Sequence, residues 1–135
     1  MALQYSATVR NAQLDALETT IGTTAVLKMF TGSPPANVAT ADSGTLLVSM
    51  TLPSDWMAAA SSGSKAKSGT WEDTSADGTG TAGHWRLYAS DGTTCHAQGT
   101  ITATGGGGDM TLDNTSITTG QNVTVTSFTV SAGNA

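Results

Sequence analysis

The most regular pattern of apolar and polar positions in the chain lies at residues 46–52. Leu46, Val48, Met50 and Leu52 occupy every second position, and a proline directly follows the run. Because successive side chains of a β-strand point to opposite faces of a sheet, this spacing predicts a strand with one apolar face. We expect that face to line a hydrophobic core.

Shorter apolar runs separated by turn residues recur through the rest of the chain. Glycine, proline and Asp-Gly turn signals occur about every ten residues, which favours an antiparallel sandwich over a parallel sheet. We therefore predict an all-β fold, an antiparallel and jelly-roll-like β-sandwich of seven to eight short strands. The predicted strands lie at residues 25–30, 46–52, near 71, 84–88, 95–103, 110–112 and 123–130.

The last predicted strand changes phase along its length. Val123 and Val125 share one phase of the alternation, whereas Phe128 and Val130 fall in the opposite one. One extra residue in a strand shifts the phase in this way, and such β-bulges bend strands at the corners of sandwiches. We interpret residues 123–130 as one bent strand.

A helix is predicted only near the N-terminus, over residues 6–21. Ser6 is a suitable N-cap, and a glycine follows the last helical residue. Leu14, Leu17 and Ile21 fall on one face, so we expect that face to pack on the sheet. Docking of the same face on another subunit is the alternative.

The five residues before the helix are predicted to form an arm. Leu3 and Tyr5 would be costly to expose to water, so the arm should lie on its own domain or on a neighbouring chain. A length of 135 residues is that of one domain with its own core. Within this single domain, 1–135, we place the arm at 1–5, the helix at 6–21 and the β-sandwich at 25–130.

Residues 54–67 have the composition of an exposed loop. Trp56 and Met57 stand at its start and are followed by alanine, serine and glycine, with Lys65 and Lys67 near its end. We interpret Trp56 as an anchor that caps the core, and we expect both lysines to be solvated.

The charge balance restricts the partners. The formal net charge is −5 and only 11% of residues are charged. Binding to nucleic acid needs a basic stripe, which five Lys and Arg residues do not provide, and no apolar run is long enough to cross a membrane. We expect neither nucleic acid nor a membrane as a partner. A surface with few charges and many threonines suits burial in an assembly, although β-branched threonine also simply favours strands.

No group of residues carries an evident catalytic pattern. Cys95 is the only cysteine, and we expect it to be a buried, inert thiol. His84 and His96 flank a predicted turn, where a shared metal is a weak alternative, and the acidic residues cluster in turns that favour Asp for local hydrogen bonding. We therefore predict that the protein is not an enzyme and has no catalytic residues, no metal site and no cofactor.

Five segments, taken in order, resemble a family of small proteins encoded among the head and tail genes of tailed phages. The segments are SATVRNAQLDALETTIG, AVLKMFTGSPPA, SGTLLVSMTLP, TGTAGHWRLYASDGTT and TLDNTSITTGQNVTVTSFTV. The positions that match the family pattern are Phe30, Gly32, Pro35, Trp85, Arg86, Asp91, Gly92, Ile117, Gly120, Val123, Val125 and Phe128. The resemblance implies a jelly-roll cement, or decoration, protein on the outer surface of a phage capsid, made in the cytoplasm of the host bacterium.

The function expected from this resemblance is structural. It implies a non-enzymatic virion protein that binds the major capsid protein, cements neighbouring capsid subunits and associates with itself as a homodimer or homotrimer. Aromatic and apolar groups anchor interfaces, so the candidate contact residues are Leu3, Tyr5, Trp56 and Met57. The alternatives are a tail or neck protein, or a virion carbohydrate-binding module that stacks sugars on Trp56, Trp71 or Trp85.

Overall fold

The helix begins and ends where the sequence predicts. A computed structural model describes residues 3–133, so the first two residues of the predicted arm lie outside the described residues. Helix α1 spans Ala7–Ile21, and the Ser6 side chain accepts a hydrogen bond from the Val9 N–H at 3.2 Å. Gly22 ends the helix with a positive φ of 91°, and its N–H donates to the Glu18 carbonyl oxygen at 2.8 Å. The predicted caps are therefore confirmed.

The remaining regular structure is β, which confirms the all-β fold with one N-terminal helix. Residues 3–133 contain ten strands instead of the seven to eight predicted, because pieces of two or three residues leave no periodic pattern in a sequence. The strands are β1 (Val26–Thr31), β2 (Leu46–Thr51), β3 (Ser64–Ala66), β4 (Trp71–Asp73), β5 (Gly80–Tyr88), β6 (Cys95–Ala103), β7 (Met110–Leu112), β8 (Ser116–Ile117), β9 (Val123–Val125) and β10 (Thr129–Ser131).

The strands form one large and two small sheets. The large sheet has the order β2-β1-β5-β6-β7, with β8 paired to one end of β5. Its pairs are antiparallel except β6 with β7, which run parallel. The chain returns from β6 to β7 through a run of glycines in which Gly105 and Gly107 have φ of 87° and 81°, a region that side chains disfavour. The small sheets pair β3 with β10 and β4 with β9, both antiparallel.

The interpretation of residues 123–130 as one bulged strand is wrong. The structure divides this segment into β9, which pairs with β4, and β10, which pairs with β3. A bulge shifts the register against one partner, whereas here the chain changes partners. Both events change the phase of the apolar positions, so the sequence alone does not separate them.

The core lies between one face of the large sheet and the two small sheets. Trp71 of β4 and Trp85 of β5 both contact the ring of Phe128, with ring centroids 5.7 Å and 5.4 Å away. The Trp56 ring lies 6.1 Å from that of Trp71. These aromatic contacts join the layers. Of the alternation predicted at 46–52, Val48, Met50 and Leu52 are buried in this core, but Leu46 is only half-buried and Leu47, in the opposite phase, is buried.

Candidate partner interface

The exposed apolar residues are concentrated at the N-terminal end of the chain. Among residues 3–133, the large apolar side chains that are most exposed are Leu3 (66%), Tyr5 (42%), Val9 (43%), Leu17 (38%) and Val38 (38%). Four of these five belong to the arm or to α1. We call this set, Leu3, Tyr5, Val9 and Leu17, the N-terminal apolar surface.

The exposure of Leu17 corrects one part of the helix prediction. Leu14 and Ile21 are buried as expected, but Leu17 is not. Leu17 lines a groove of about 210 Å³ between α1 and β6. The groove is lined by Gln13, Ala16, Leu17, Thr20 and Ile21 of the helix and by His96 of β6.

Polar contacts hold the opposite face of α1 against the segment that precedes β3. Asn11, Asp15 and Glu18 accept hydrogen bonds from the backbone N–H groups of residues 63, 60 and 57, at 2.9, 2.9 and 3.2 Å. Arg10 donates to the carbonyl oxygen of Ala132 at 3.2 Å. Because this face is occupied by the protein itself, the helix presents its other face, with Val9 and Leu17, to solvent.

Lys65 fastens the helix to β3 most firmly. Its ammonium contacts Asp15 at 2.8 Å, Glu18 at 3.2 Å and the carbonyl oxygen of Ala58 at 2.9 Å, and the side chain is only 2% exposed. Burial acts to lower the pKa of Lys65, but the hydrogen bonds to the two carboxylates outweigh it and the pKa is raised. The hydrogen bond from Lys65 in turn lowers the pKa of Asp15.

The prediction of a solvated Lys65 in an exposed loop is therefore wrong. The ordinary assumption for a lysine among serines and glycines fails here because two acids lie three residues apart on one helix face. That pair is the signal in the sequence that could have indicated a buried cationic partner.

Trp56 and Met57 do not belong to the exposed surface. They are 1% and 2% exposed, and the Trp56 indole N–H donates to the carbonyl oxygen of Gly22 at 2.9 Å. This contact joins the end of α1 to the core, as expected of a residue that caps the core. Their burial removes both residues from the candidate interface, which leaves Leu3 and Tyr5 from the predicted set.

The three tryptophans also offer no exposed ring for stacking on a sugar. Trp56 and Trp71 are each 1% exposed, and Trp85 is 6% exposed. Stacking of a sugar needs an accessible aromatic face. The arrangement therefore gives the carbohydrate-binding alternative no platform on these residues.

The second face of the large sheet is polar, and a long loop covers it. We call this loop, residues 32–44, the strap. Arg86 of β5 is 1% exposed and donates to the Asp42 carboxylate at 2.6 Å and to the Val38 carbonyl oxygen at 2.7 Å. Gln98 of β6 donates to the carbonyl oxygen of Pro35 at 2.6 Å. His84 and Tyr88 add contacts to Gly32 and Asp42 respectively.

The contacts of these residues with the strap were not predicted from the sequence. His84, Arg86 and Tyr88 occupy alternate positions of β5, so they share the face opposite to Trp85 and Leu87. Two ionisable residues at alternate positions of an otherwise apolar strand were the available signal. Their partners are mostly backbone groups of the strap, which no residue pattern identifies.

A cleft of about 270 Å³ lies between the strap and the sheet. Lys28, Asp42, Arg86, Tyr88 and Cys95 all line it. Lys28 donates to the Gly92 carbonyl oxygen at 2.8 Å, and the Cys95 thiol contacts the Ala97 carbonyl oxygen at 3.4 Å. The lining includes no histidine to serve as a base for the thiol. Cys95 is only half-buried at this cleft, which corrects the expectation of a buried thiol.

The Tyr88 phenol is one of the polar groups that the large sheet presents to the strap. Burial, followed by the hydrogen bond to the Asp42 carboxylate, raises its pKa far above the usual value of 10.0. We expect a Tyr5→Phe variant, in which Tyr88 is the one tyrosine left, to show no phenolate absorbance at 295 nm at pH 10.5 while folded. Unfolding in urea at that pH should release the absorbance. A half-ionised phenol in the folded protein at pH 10.5 would contradict the burial of Tyr88.

Two absences within the described part of the chain concern metal sites and membrane-spanning helices. Within residues 3–133, no cluster of three or more histidine, cysteine, aspartate or glutamate side chains could hold a metal ion. In the same part of the chain, no helix has the length and apolar character needed to cross a membrane.

Comparison with known proteins finds no match to any family model, any curated protein or any solved structure.

Proposed function

We propose that the chain is a non-enzymatic structural protein of a tailed-phage virion, which binds the outside of the capsid and cements neighbouring major capsid subunits. The observation that carries the assembly role is the N-terminal apolar surface, where four of the five most exposed large apolar side chains of residues 3–133 lie. Contiguous exposed apolar patches mark interaction surfaces, and these four side chains all lie within residues 3–17, on the arm and α1. The phage capsid as the partner rests on the resemblance of the five sequence segments.

The mounting of α1 supports this proposal. Lys65, Asn11 and Glu18 fix the helix on the body of the protein before any partner binds. A surface that is already ordered loses little conformational entropy on binding, so modest apolar contacts can suffice. On a lattice with many equivalent sites, linked copies of the protein would gain further affinity. We accordingly propose that it also associates with itself.

The test is sedimentation with phage heads. Purified protein is mixed with emptied, expanded heads from which it has been stripped, and in parallel with unexpanded proheads. Cosedimentation with expanded heads alone supports a cement function, since its sites would form only on maturation. Absence from both pellets, together with binding to isolated tails or necks, would favour the alternative of a tail or neck protein.

A Val9→Glu variant tests whether the outer face of α1 makes the contact. The substitution places a carboxylate on the N-terminal apolar surface, and we expect it to weaken binding to expanded heads at least about tenfold. Stability should not fall, because a glutamate three residues after Ser6 completes a capping box and lies near the positive end of the helix dipole.

Val38→Glu is the matched control. Val38 exposes 38% of its surface against 43% for Val9, but it lies on the strap. We expect the control to cosediment like the parent protein, with thermal unfolding checked for both variants. Equal binding by the two variants would remove the helix face from the proposed interface.

A further inference from the structure

The sandwich has an open side, where two strand edges border one cleft. The cleft measures about 300 Å³ and is lined by Trp85, Gln98, Asp109 and the segment Phe128–Ser131. On the large sheet, β7 pairs only with Ile101–Ala103, so on the side away from β5 the first half of β6 has no strand beside it among residues 3–133. On the other layer, β10 pairs with β3 and, within the same part of the chain, with no second strand.

The register of β10 shows which of its backbone groups face the cleft side. Val130 pairs with Lys65, and the flanking hydrogen bonds run from Lys67 N–H to Phe128 C=O and from Ala132 N–H to Gly63 C=O. Hydrogen-bonded residues alternate along an antiparallel pair. The even-numbered residues of this segment therefore point their N–H and C=O groups towards β3. The N–H and C=O groups of Thr129 and Ser131 point the other way.

The two edges are not equivalent. On the β6 edge, the Thr100 N–H already donates to the Asp109 carboxylate at 2.9 Å, which blocks pairing at that position. The β10 edge carries no such side-chain cap among the described contacts. In the cleft, the Trp85 indole N–H is buried and has no hydrogen-bond partner within residues 3–133. Trp85 is 6% exposed, and a buried N–H group without a hydrogen-bond partner lowers the stability of a closed core.

These features describe a binding site for an extended polypeptide. An added strand would pair with the outward N–H and C=O groups of Thr129 and Ser131 and would cover the parts of Trp85 and Phe128 that line the cleft. Addition of a strand to an open sheet edge is a common mode of peptide recognition, in which alternate side chains fill pockets.

The N-terminal arm has the required character. Residues 3–6 form no helix or strand, and Ser6 has the extended angles φ −62° and ψ 159°. Leu3 and Tyr5 are two residues apart, so in an extended chain both would face the same side. No residue from 1 to 9 carries a charged side chain that would be stranded in the cleft.

We propose that the open edge of β10 accepts the arm of a second copy of the chain as an added strand. In the chain's own fold the arm lies elsewhere, with Leu3 66% exposed. Exchange of arms buries Leu3 and Tyr5 and closes the open side of the sandwich, which leaves Val9 and Leu17 of the N-terminal apolar surface to contact the capsid. The exchange does not depend on the identity of the lattice, so it can be tested on the free protein and can fail without affecting the proposed capsid binding.

The test is the mass of the full chain by sedimentation equilibrium between about 1 μM and about 1 mM, a range that spans weak to moderate affinities. The parent protein is expected to form a dimer or a small ring. Thr129→Pro removes the outward N–H and fills the edge with the proline ring, yet leaves the bonds to β3 intact, since proline is tolerated at the open side of an edge strand. We expect it to raise the dissociation constant at least about tenfold. Thr129→Ala, which keeps the N–H, should associate like the parent.

A mixing experiment separates loss of the site from loss of the fold. Leu3→Asp disables the arm but leaves the edge intact, whereas Thr129→Pro leaves the arm intact. Each variant alone should be monomeric, and an equimolar mixture should associate through the one remaining kind of contact. A parent protein that stays monomeric at the highest concentration would overturn the proposal. So would an oligomer that neither substitution weakens, or a mixture that stays monomeric.

Discussion

Replacing Lys65 with alanine is expected to lower the free energy of unfolding by about 2–3 kcal/mol. The substitution removes the ammonium that joins Asp15 and Glu18 and leaves those carboxylates facing each other across the gap. Removal of one partner of a fully buried ion pair costs about 3–5 kcal/mol. The expected value is smaller because the Asp15 side chain is 48% exposed and can be rehydrated.

We expect the loss of stability to be largest near α1. Because Lys65 links α1 to β3, we expect backbone amides in the second half of α1 to exchange faster in the Lys65→Ala protein, while amides of β5 and β6 stay protected. Urea unfolding gives the energy, and hydrogen exchange gives its location. Lys67→Ala is the matched control, since the Lys67 ammonium makes an exposed contact with the Gly69 carbonyl oxygen and should cost under about 1 kcal/mol. Equal costs for the two substitutions would show that Lys65 is not the fastening residue.

The helix could be predicted from the sequence because its signals are local. Ser6 and Gly22 each act on the helical turn next to them, and both are the caps of α1 in the structure. The strand at 46–52 was equally accessible, since a period of two needs only its own residues.

The features that the sequence did not yield are those that depend on distant partners. Lys65 is separated from Asp15 by fifty residues, so a composition argument assigned it to solvent. The change of partner between β9 and β10 depends on where β3 and β4 lie. The four residues predicted to contact a partner fall into two groups in the structure. Leu3 and Tyr5 are exposed, whereas Trp56 and Met57 proved to be core residues, because aromatic and sulfur side chains serve interfaces and cores alike.

The sandwich therefore has two differently built sides. The inner face of the large sheet is held by aromatic packing, while its outer face is held by buried polar side chains that grip the strap. Hydrogen bonds of buried polar groups fix one arrangement, since each unmet donor is costly. We infer that the strap is a rigid part of the surface, and that α1 and the arm are the parts available for assembly.

The Arg86→Ala variant tests how strongly the position of the strap depends on the buried polar side chains of the large sheet. We expect a loss of about 2–3 kcal/mol in the free energy of unfolding, because Arg86 is 1% exposed and its removal leaves the Val38 carbonyl without its donor and the Asp42 carboxylate with only the Tyr88 hydroxyl; the cost stays below that of a fully buried pair because Asp42 is 41% exposed. Asp42→Asn should cost less, about 1–2 kcal/mol, since the Asp42 side chain is 41% exposed and the amide can still accept a hydrogen bond. In both variants hydrogen exchange should accelerate in the strap, while amides of α1 keep their protection. An Arg86→Ala protein with parental stability, or with faster exchange in α1 but not in the strap, would show that Arg86 does not hold the strap on the sheet.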